Sequence, residues 1–206
     1  MSGSIAGLVL AGGLSRRMGG GEKGLQLLGG QTMISRVIDR IAPQVETLAI
    51  NANADPEPYL QFGLPVLPDT IGGHAGPLAG VLTGLEWAST LPGVTHLVSA
   101  ATDTPFLPLD LVRRFAVLSG PERIVIARSE GNRHPVFGLW PVALREDLAE
   151  WLATSDTMKV LAWVHRHDFT FCDFEAAGDD APDPFFNANT PDELAEAERY
   201  LAGTAA

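Results

Sequence analysis

The stretch Ile5-Ala6-Gly7-Leu8-Val9-Leu10-Ala11-Gly12-Gly13-Leu14-Ser15-Arg16-Arg17-Met18-Gly19-Gly20-Gly21-Glu22-Lys23-Gly24 decides the fold. Ile5–Leu10 reads as a buried strand that Gly12-Gly13 cuts off. A glycine-rich loop directly after a buried strand is where nucleotide phosphates dock in α/β folds. Glycines let backbone N–H groups turn toward phosphate oxygens, and Ser15 adds a hydroxyl. Arg16, Arg17 and Lys23 add positive charge. A Walker A loop is excluded, because Gly24 follows Lys23 where that loop requires Ser or Thr. Gly19-x-Gly21-x-x-Gly24 has the letters of a dinucleotide fingerprint but does not directly follow the strand, as that fingerprint requires.

Working outward, apolar residues recur at helical spacing over Met33, Ile34, Val37, Ile38 and Ile41, and Pro43 marks the end. Strands are expected at Thr47–Asn51 and near Leu64–Leu67. Gly76-Pro77 opens a helix with Leu78, Val81, Leu82 and Leu85 on one face. His96–Ala100 is a strand ending in Thr102-Asp103-Thr104-Pro105. A helix over about Leu109–Leu118, strands at Arg123–Ala127 and Val136–Trp140, and helices over Val142–Leu152 and Met158–Val164 follow. Phe169–Phe174 is the last strand. The closing helix starts with Thr190 as N-cap and Pro191 at its first position. Alternating strands and helices predict a three-layer α/β/α (Rossmann-like) fold around a mostly parallel sheet, with ligands at the carboxyl ends of its strands. No repeat or dividing linker interrupts residues 1–206, so one domain is expected. Asp173–Pro184 reads as a surface loop.

Composition narrows the functions. The net charge of −11 opposes nonspecific binding to nucleic acid or an anionic membrane, so any anionic substrate needs a locally basic or metal-loaded site. The apolar runs are far shorter than the roughly 20 residues that span a bilayer, and Met1-Ser2-Gly3-Ser4 lacks a basic leader. A cytoplasmic protein is expected. Cys172 is the one cysteine, which excludes an internal disulfide. Its setting in an apolar strand makes it core filler.

Leu10-Ala11-Gly12-Gly13-x-Ser15-x-Arg17-Met18-Gly19, with Lys23 shortly after, resembles the signature of nucleotidyltransferases that activate sugar phosphates, polyol phosphates and molybdopterin. The paired arginines and Lys23-Gly24 are most similar to the molybdenum cofactor guanylyltransferase (MobA) family, with Glu22 where that family often has Asp. The resemblance continues through Ile50-Asn51-Ala52-Asn53, Asp69, Gly76-Pro77-Leu78-Ala79-Gly80 and Thr102-Asp103-Thr104-Pro105-Phe106. It then covers His134-Pro135-Val136-Phe137-Gly138-Leu139 and Asn187-Ala188-Asn189-Thr190-Pro191. It thus runs from about Leu8 to Leu194, and the ordered set is far more specific than any one motif.

The resemblance implies a magnesium-dependent enzyme with GTP and molybdopterin as substrates. Molybdenum-insertion proteins or chaperones of target molybdoenzymes are its implied partners. It assigns Leu10, Ala11, Gly12, Gly13, Ser15, Lys23, Asn51, Asp69 and Asp103 to GTP, Asp103 to the metal, and Asn187 and Asn189 to the pterin. Arg17, Lys23 and Asp103 are the implied catalytic residues.

Each position also has a physical reading. Asp103 closes a strand, so its carboxylate is a hard oxygen ligand suited to Mg²⁺; it also reads as a helix cap. Asp69 can accept both N–H donors of guanine's Watson–Crick edge, or simply form a turn after Pro68. Asn51 reads as a base or ribose contact or as a strand-end turn. Asn187 and Asn189 also suit a turn and cap, and His134 reads either as a phosphate contact or as a surface histidine. His165 and His167 read as structural or exposed. Rival functions sharing the first loop are a CTP-dependent molybdopterin cytidylyltransferase and a sugar-phosphate nucleotidyltransferase. A regulatory nucleotide-binding module is the rival of another class.

Overall fold

The computed structural model describes residues 3–11, 23–53, 55–72, 76–178 and 181–203. In chain order it contains β1 (Ser4–Leu10), a 3₁₀ turn (Lys23–Leu25), β2 (Leu27–Leu28), β3 (Gln31–Thr32), α1 (Met33–Ile41), β4 (Thr47–Asn51), α2 (Glu57–Leu60) and β5 (Val66–Leu67). Then come α3 (Pro77–Ser89), β6 (Val94–Ala101), α4 (Leu111–Leu118), β7 (Ile124–Ser129) and β8 (Asn132–Pro141). The chain closes with α5 (Arg145–Thr154), α6 (Val160–Val164), β9 (Phe169–Phe174) and α7 (Pro191–Gly203). Among the described residues no helix is long and apolar enough to cross a membrane.

Seven strands form one sheet in the order β5-β4-β1-β6-β8-β7-β9. β4, β5 and β6 run parallel to β1, and β9 runs parallel to β7. β8 is antiparallel to both its neighbours. The sheet is therefore mostly parallel, as the alternation of elements predicts.

Successive residues of each strand serve opposite layers, as the period of two requires. Leu8, Leu97, Ile124, Ile126 and Trp140 pack with α3, α5 and α6. Val9, Ile50, Val98, Val125 and Leu139 pack on the other face with Ile34, Val37 and Ile41 of α1 and Leu111 and Phe115 of α4. Burying each large aliphatic side chain contributes about 1.5–3 kcal/mol as an upper bound. The start of α1 is set by Thr32, whose hydroxyl accepts the Ser35 N–H at 3.3 Å. Such a cap stabilises by about 1 kcal/mol. Arg40 on the same helix donates to the carbonyls of Leu107 (2.6 Å) and Phe106 (3.4 Å), tying α1 to the segment after β6.

Several boundaries differ from the sequence expectations. β7 and β8 are longer and meet in a two-residue hairpin, because Glu130 and Gly131 adopt φ of 48° and 78°. That pair of positive angles is the primed turn that matches strand twist. α4 begins at Leu111 after a turn that leaves Leu109 67% exposed. The helix expected from Val142 starts as a 3₁₀ turn over Val142–Leu144 before α5. α6 starts at Val160, and β9 ends at Phe174 as expected, so the expected surface loop starts after Phe174 and not at Asp173. The β2–β3 hairpin and α2 carry too few residues to show a period in the sequence.

Candidate active site

Because β1, β4, β5, β6 and β7 share one direction, their carboxyl ends lie along a single edge. The chain order reverses at β1: it runs outward through β4 and β5, then returns to place β6 on the other side. Ligands of open α/β sheets bind at such a reversal. Leu10 ends β1 here, and the N–H of the following Ala11 donates to the Asn51 carbonyl at 2.8 Å. Gly12, Gly13, Ser15, Arg16 and Arg17 lie outside the described residues.

The central feature is the ion pair of Lys23 and Asp103. Lys23 Nζ donates to Asp103 Oδ2 at 2.7 Å, with the two side chains 16% and 23% exposed. Partial burial makes this pair stronger than an exposed one while leaving it reachable by a ligand. The neighbour of Lys23 explains how it gets there. A Cβ on Gly24 would fall 2.9 Å from Thr102 Cβ, so only glycine lets this turn approach the end of β6 so closely.

Asp103 is held from the other side by the chain before α7. The Ala188 N–H donates to the Asp103 carbonyl at 3.0 Å. The buried Thr104 hydroxyl donates to Asn187 Oδ1 at 2.8 Å and lies 3.4 Å from Asp103 Oδ1. Asp103 Oδ1 is thus only lightly engaged, and a hard, lightly engaged carboxylate oxygen fits Mg²⁺. That ion takes one or two carboxylates and completes its shell with phosphate oxygens and water. Among the described residues no group of three or more His, Cys, Asp or Glu side chains forms a protein-only metal cage.

The structure brings Asn187 beside the Asp103 segment, and Asn187 is exposed. Asn189 lies at the entrance to α7, where its N–H donates to Glu193 Oε2 at 2.7 Å and Thr190 accepts the Glu193 N–H at 3.2 Å. Thr190 thus caps α7 as Thr190-Pro191 predicts, while the Glu193 carboxylate reaches back one residue further to Asn189.

At the far side of the edge, parallel pairing sets Asn51 opposite Leu67. Asn51 is 3% exposed, and its amide donates to the Leu67 carbonyl (3.0 Å) and to Asp69 Oδ1 (2.9 Å). Asn51 is therefore a clamp between strands β4 and β5. α3 accommodates it through Gly80, where a Cβ would lie 2.3 Å from Asn51 Oδ1. Asp69 Oδ2 accepts the Asn53 amide at 2.7 Å.

A third group gathers at the end of β7. Ser129, 1% exposed, donates its hydroxyl to Asp183 Oδ2 at 2.6 Å and lies 2.6 Å from His134 Nε2. Since the serine proton goes to Asp183, His134 Nε2 must donate to Ser129. That is the reverse of a nucleophile–base relay, in which the histidine takes the serine proton. His134 stacks on Phe185 at 4.5 Å, and burial pushes its pKa below the ordinary value, partly opposed by Asp183. His134 thus joins the packing beneath the Asp183–Ala188 segment. His165 is exposed, and His167 is 3.0 Å from Asp147 Oδ1. Cys172 is 4% exposed and burial raises its thiol pKa, as befits core filler.

Sequence reasoning gave no role to Asn53, Thr104, Ser129 or Asp183. Asn53 had a signal: it is a second asparagine two residues beyond Asn51, in the Ile50-Asn51-Ala52-Asn53 run that leaves the strand. Ser129 and Asp183 are brought together from 54 positions apart by tertiary packing alone.

The chain is similar to known proteins over most of its length. A family model described as a MobA-like NTP transferase domain matches residues 7–169. The chain is 50% identical over 199 residues to a molybdenum cofactor guanylyltransferase of Mesorhizobium japonicum, covering 96% of each chain. It is 48% identical over 202 residues to one from a Bradyrhizobium species, covering 97% of this chain and 94% of the other. Its fold is similar to the crystal structure of molybdopterin-guanine dinucleotide biosynthesis protein A from Archaeoglobus fulgidus. There the TM-score is 0.73 at 21% identity, over 96% of this chain and 99% of the other. With Lys23 paired to the aspartate beyond β6 and relatives matching nearly end to end, the chain belongs to the MobA-like NTP transferases, in the molybdenum cofactor guanylyltransferase family.

Proposed function

We propose that residues 1–206 act as one nucleotidyltransferase unit that transfers GMP from GTP to molybdopterin, forming the guanine dinucleotide cofactor and releasing pyrophosphate. The Lys23–Asp103 pair at the strand-order reversal carries this reading: it sets a mobile cation beside a carboxylate where a triphosphate would lie.

In this reading Asp69 accepts the guanine N1–H and N2–H. Backbone amides of residues 10–13, Ser15, Arg17 and Lys23 hold the triphosphate, and Asn187 and Asn189 face the pterin substrate. The attacking group is an oxygen of molybdopterin's terminal phosphate, already anionic near neutral pH. It forms a new P–O bond to the α-phosphorus of GTP as the bond to the β-phosphate breaks, and pyrophosphate carries the electron pair away. No enzyme nucleophile is required, which accords with the reversed wiring at Ser129. Catalysis then rests on alignment and charge stabilisation. Lys23 turns from Asp103 toward the leaving phosphates as negative charge builds there. Magnesium held by Asp103 would supply charge neutralisation at the α-phosphate and the departing pyrophosphate.

The test supplies labelled GTP, molybdopterin and Mg²⁺ and measures the guanine dinucleotide and pyrophosphate, with CTP, UTP and ATP in parallel. Equal transfer from CTP would overturn the guanylyltransferase reading, and binding of GTP with no turnover would favour a regulatory module.

A further inference from the structure

We infer that Asn53 is a positioning residue for base choice: it fixes the Asp69 carboxylate so that one lone pair on each oxygen faces the nucleotide base. This rests on Asp69 being the guanine acceptor, as proposed above. Asn53 and Asp69 each lie two residues beyond the paired Asn51 and Leu67, so they continue the parallel register past the last strand residues. Their contact is reciprocal. Asn53 Nδ2 donates to Asp69 Oδ2 at 2.7 Å, and Asn53 Oδ1 accepts the Asp69 N–H at 2.7 Å. One side chain therefore holds both the carboxylate and the backbone of its partner.

The other carboxylate oxygen is taken once, by Asn51 at 2.9 Å. An ionised carboxylate offers about four lone-pair sites, two on each oxygen. Two amide donors, one per oxygen, leave one site on each. That remainder matches a pair of parallel N–H donors, which guanine presents at N1 and N2. Hypoxanthine keeps N1–H and lacks the amine, and the cytosine edge has no such pair. Asn51 is buried and also supports β5, whereas Asn53 is exposed and bonds Asp69 alone among the described residues. Its chemistry is also specific. An aspartate at position 53 would set a carboxylate against the Asp69 carboxylate, where like charges repel.

The experiment compares GTP with ITP as nucleotide substrates, using full-length protein with molybdopterin and Mg²⁺, for the parent, Asn53→Ala and Asn53→Asp. Thermal unfolding of each is recorded alongside. Loss of a hydrogen bond to a charged group predicts that the preference for GTP over ITP in kcat/KM falls about tenfold. The fall should come through a higher KM for GTP, with ITP little changed and the melting temperature held. Asn53→Asp should lose at least as much preference while keeping the side chain's size. If either folded variant keeps the parent preference, Asn53 does not position Asp69, even though Asp69 still reads guanine. If the parent itself treats GTP and ITP alike, the guanine role of Asp69 falls first and the inference falls with it.

Discussion

Replacing Gly24 by alanine tests whether the close approach of the Lys23 turn to β6 builds the site. The new Cβ would stand 2.9 Å from Thr102 Cβ and 3.1 Å from both Thr102 Cγ2 and Oγ1. Carbon atoms pack best at about 3.5–4.0 Å, so the shortfall is roughly 0.6–1 Å. Thr102 cannot yield by changing rotamer, because its own Cβ is the nearest atom and the residue is 7% exposed at the end of β6. The 3₁₀ turn must retreat instead, carrying Lys23 off Asp103, now 2.7 Å away. Overpacking of this kind costs about 1–3 kcal/mol. At about 2 kcal/mol, a chain of this size loses roughly 4–8 °C in melting temperature. The effect on rate should be larger, since a misplacement of about 1 Å can cost on the order of a hundredfold. Single-turnover guanylylation and thermal unfolding of Gly24→Ala measure both. Adding Thr102→Ala removes the two 3.1 Å contacts but leaves the Cβ contact, so recovery should be partial. A Gly24→Ala protein with parent rate and melting temperature would refute the reasoning.

Asp103→Asn keeps shape and removes charge, so Mg²⁺-dependent turnover should be abolished with the fold intact; transfer near the parent rate means another group holds the metal. Lys23→Ala should lower single-turnover rate more than GTP affinity, by about 2–4 kcal/mol of transition-state stabilisation. Equal loss of rate and affinity would make Lys23 a uniform binding residue, while Ser15→Ala should be milder because neighbouring amides compensate. His134 supplies a pH prediction. Its folded pKa lies below its unfolded value, so its contribution to stability is present above about pH 6.5 and is lost as pH falls through the folded value. His134→Phe should flatten the acid limb of a melting-temperature profile; an unchanged limb would show that other groups set it.

The order of strands and helices was legible because each long element carries its own period. Thr47–Asn51 and Phe169–Phe174 match the expectation residue for residue, and Pro43 and Pro191 mark the end and start of helices as proline chemistry requires. The Lys23 and Asp103 positions were legible for a related reason: a strand that runs into a glycine-rich or Thr-Asp-Thr-Pro segment must deliver those side chains to the sheet's carboxyl edge. Their pairing at 2.7 Å was not, because 80 residues separate them and nothing local encodes the β1–β6 adjacency. The same applies to the antiparallel β8, which turns on the backbone angles of Glu130 and Gly131, and to the Ser129–His134–Asp183 wiring. Asp69 shows the division most clearly. Its residue type and place after a strand allowed either a turn or a base acceptor. Only the parallel register of β4 and β5 puts two asparagine amides on its carboxylate, one to each oxygen. Local chemistry determines which elements form and which residue types reach an edge. Which side chains meet there depends on strand order and register, and those are set by packing across the whole sheet.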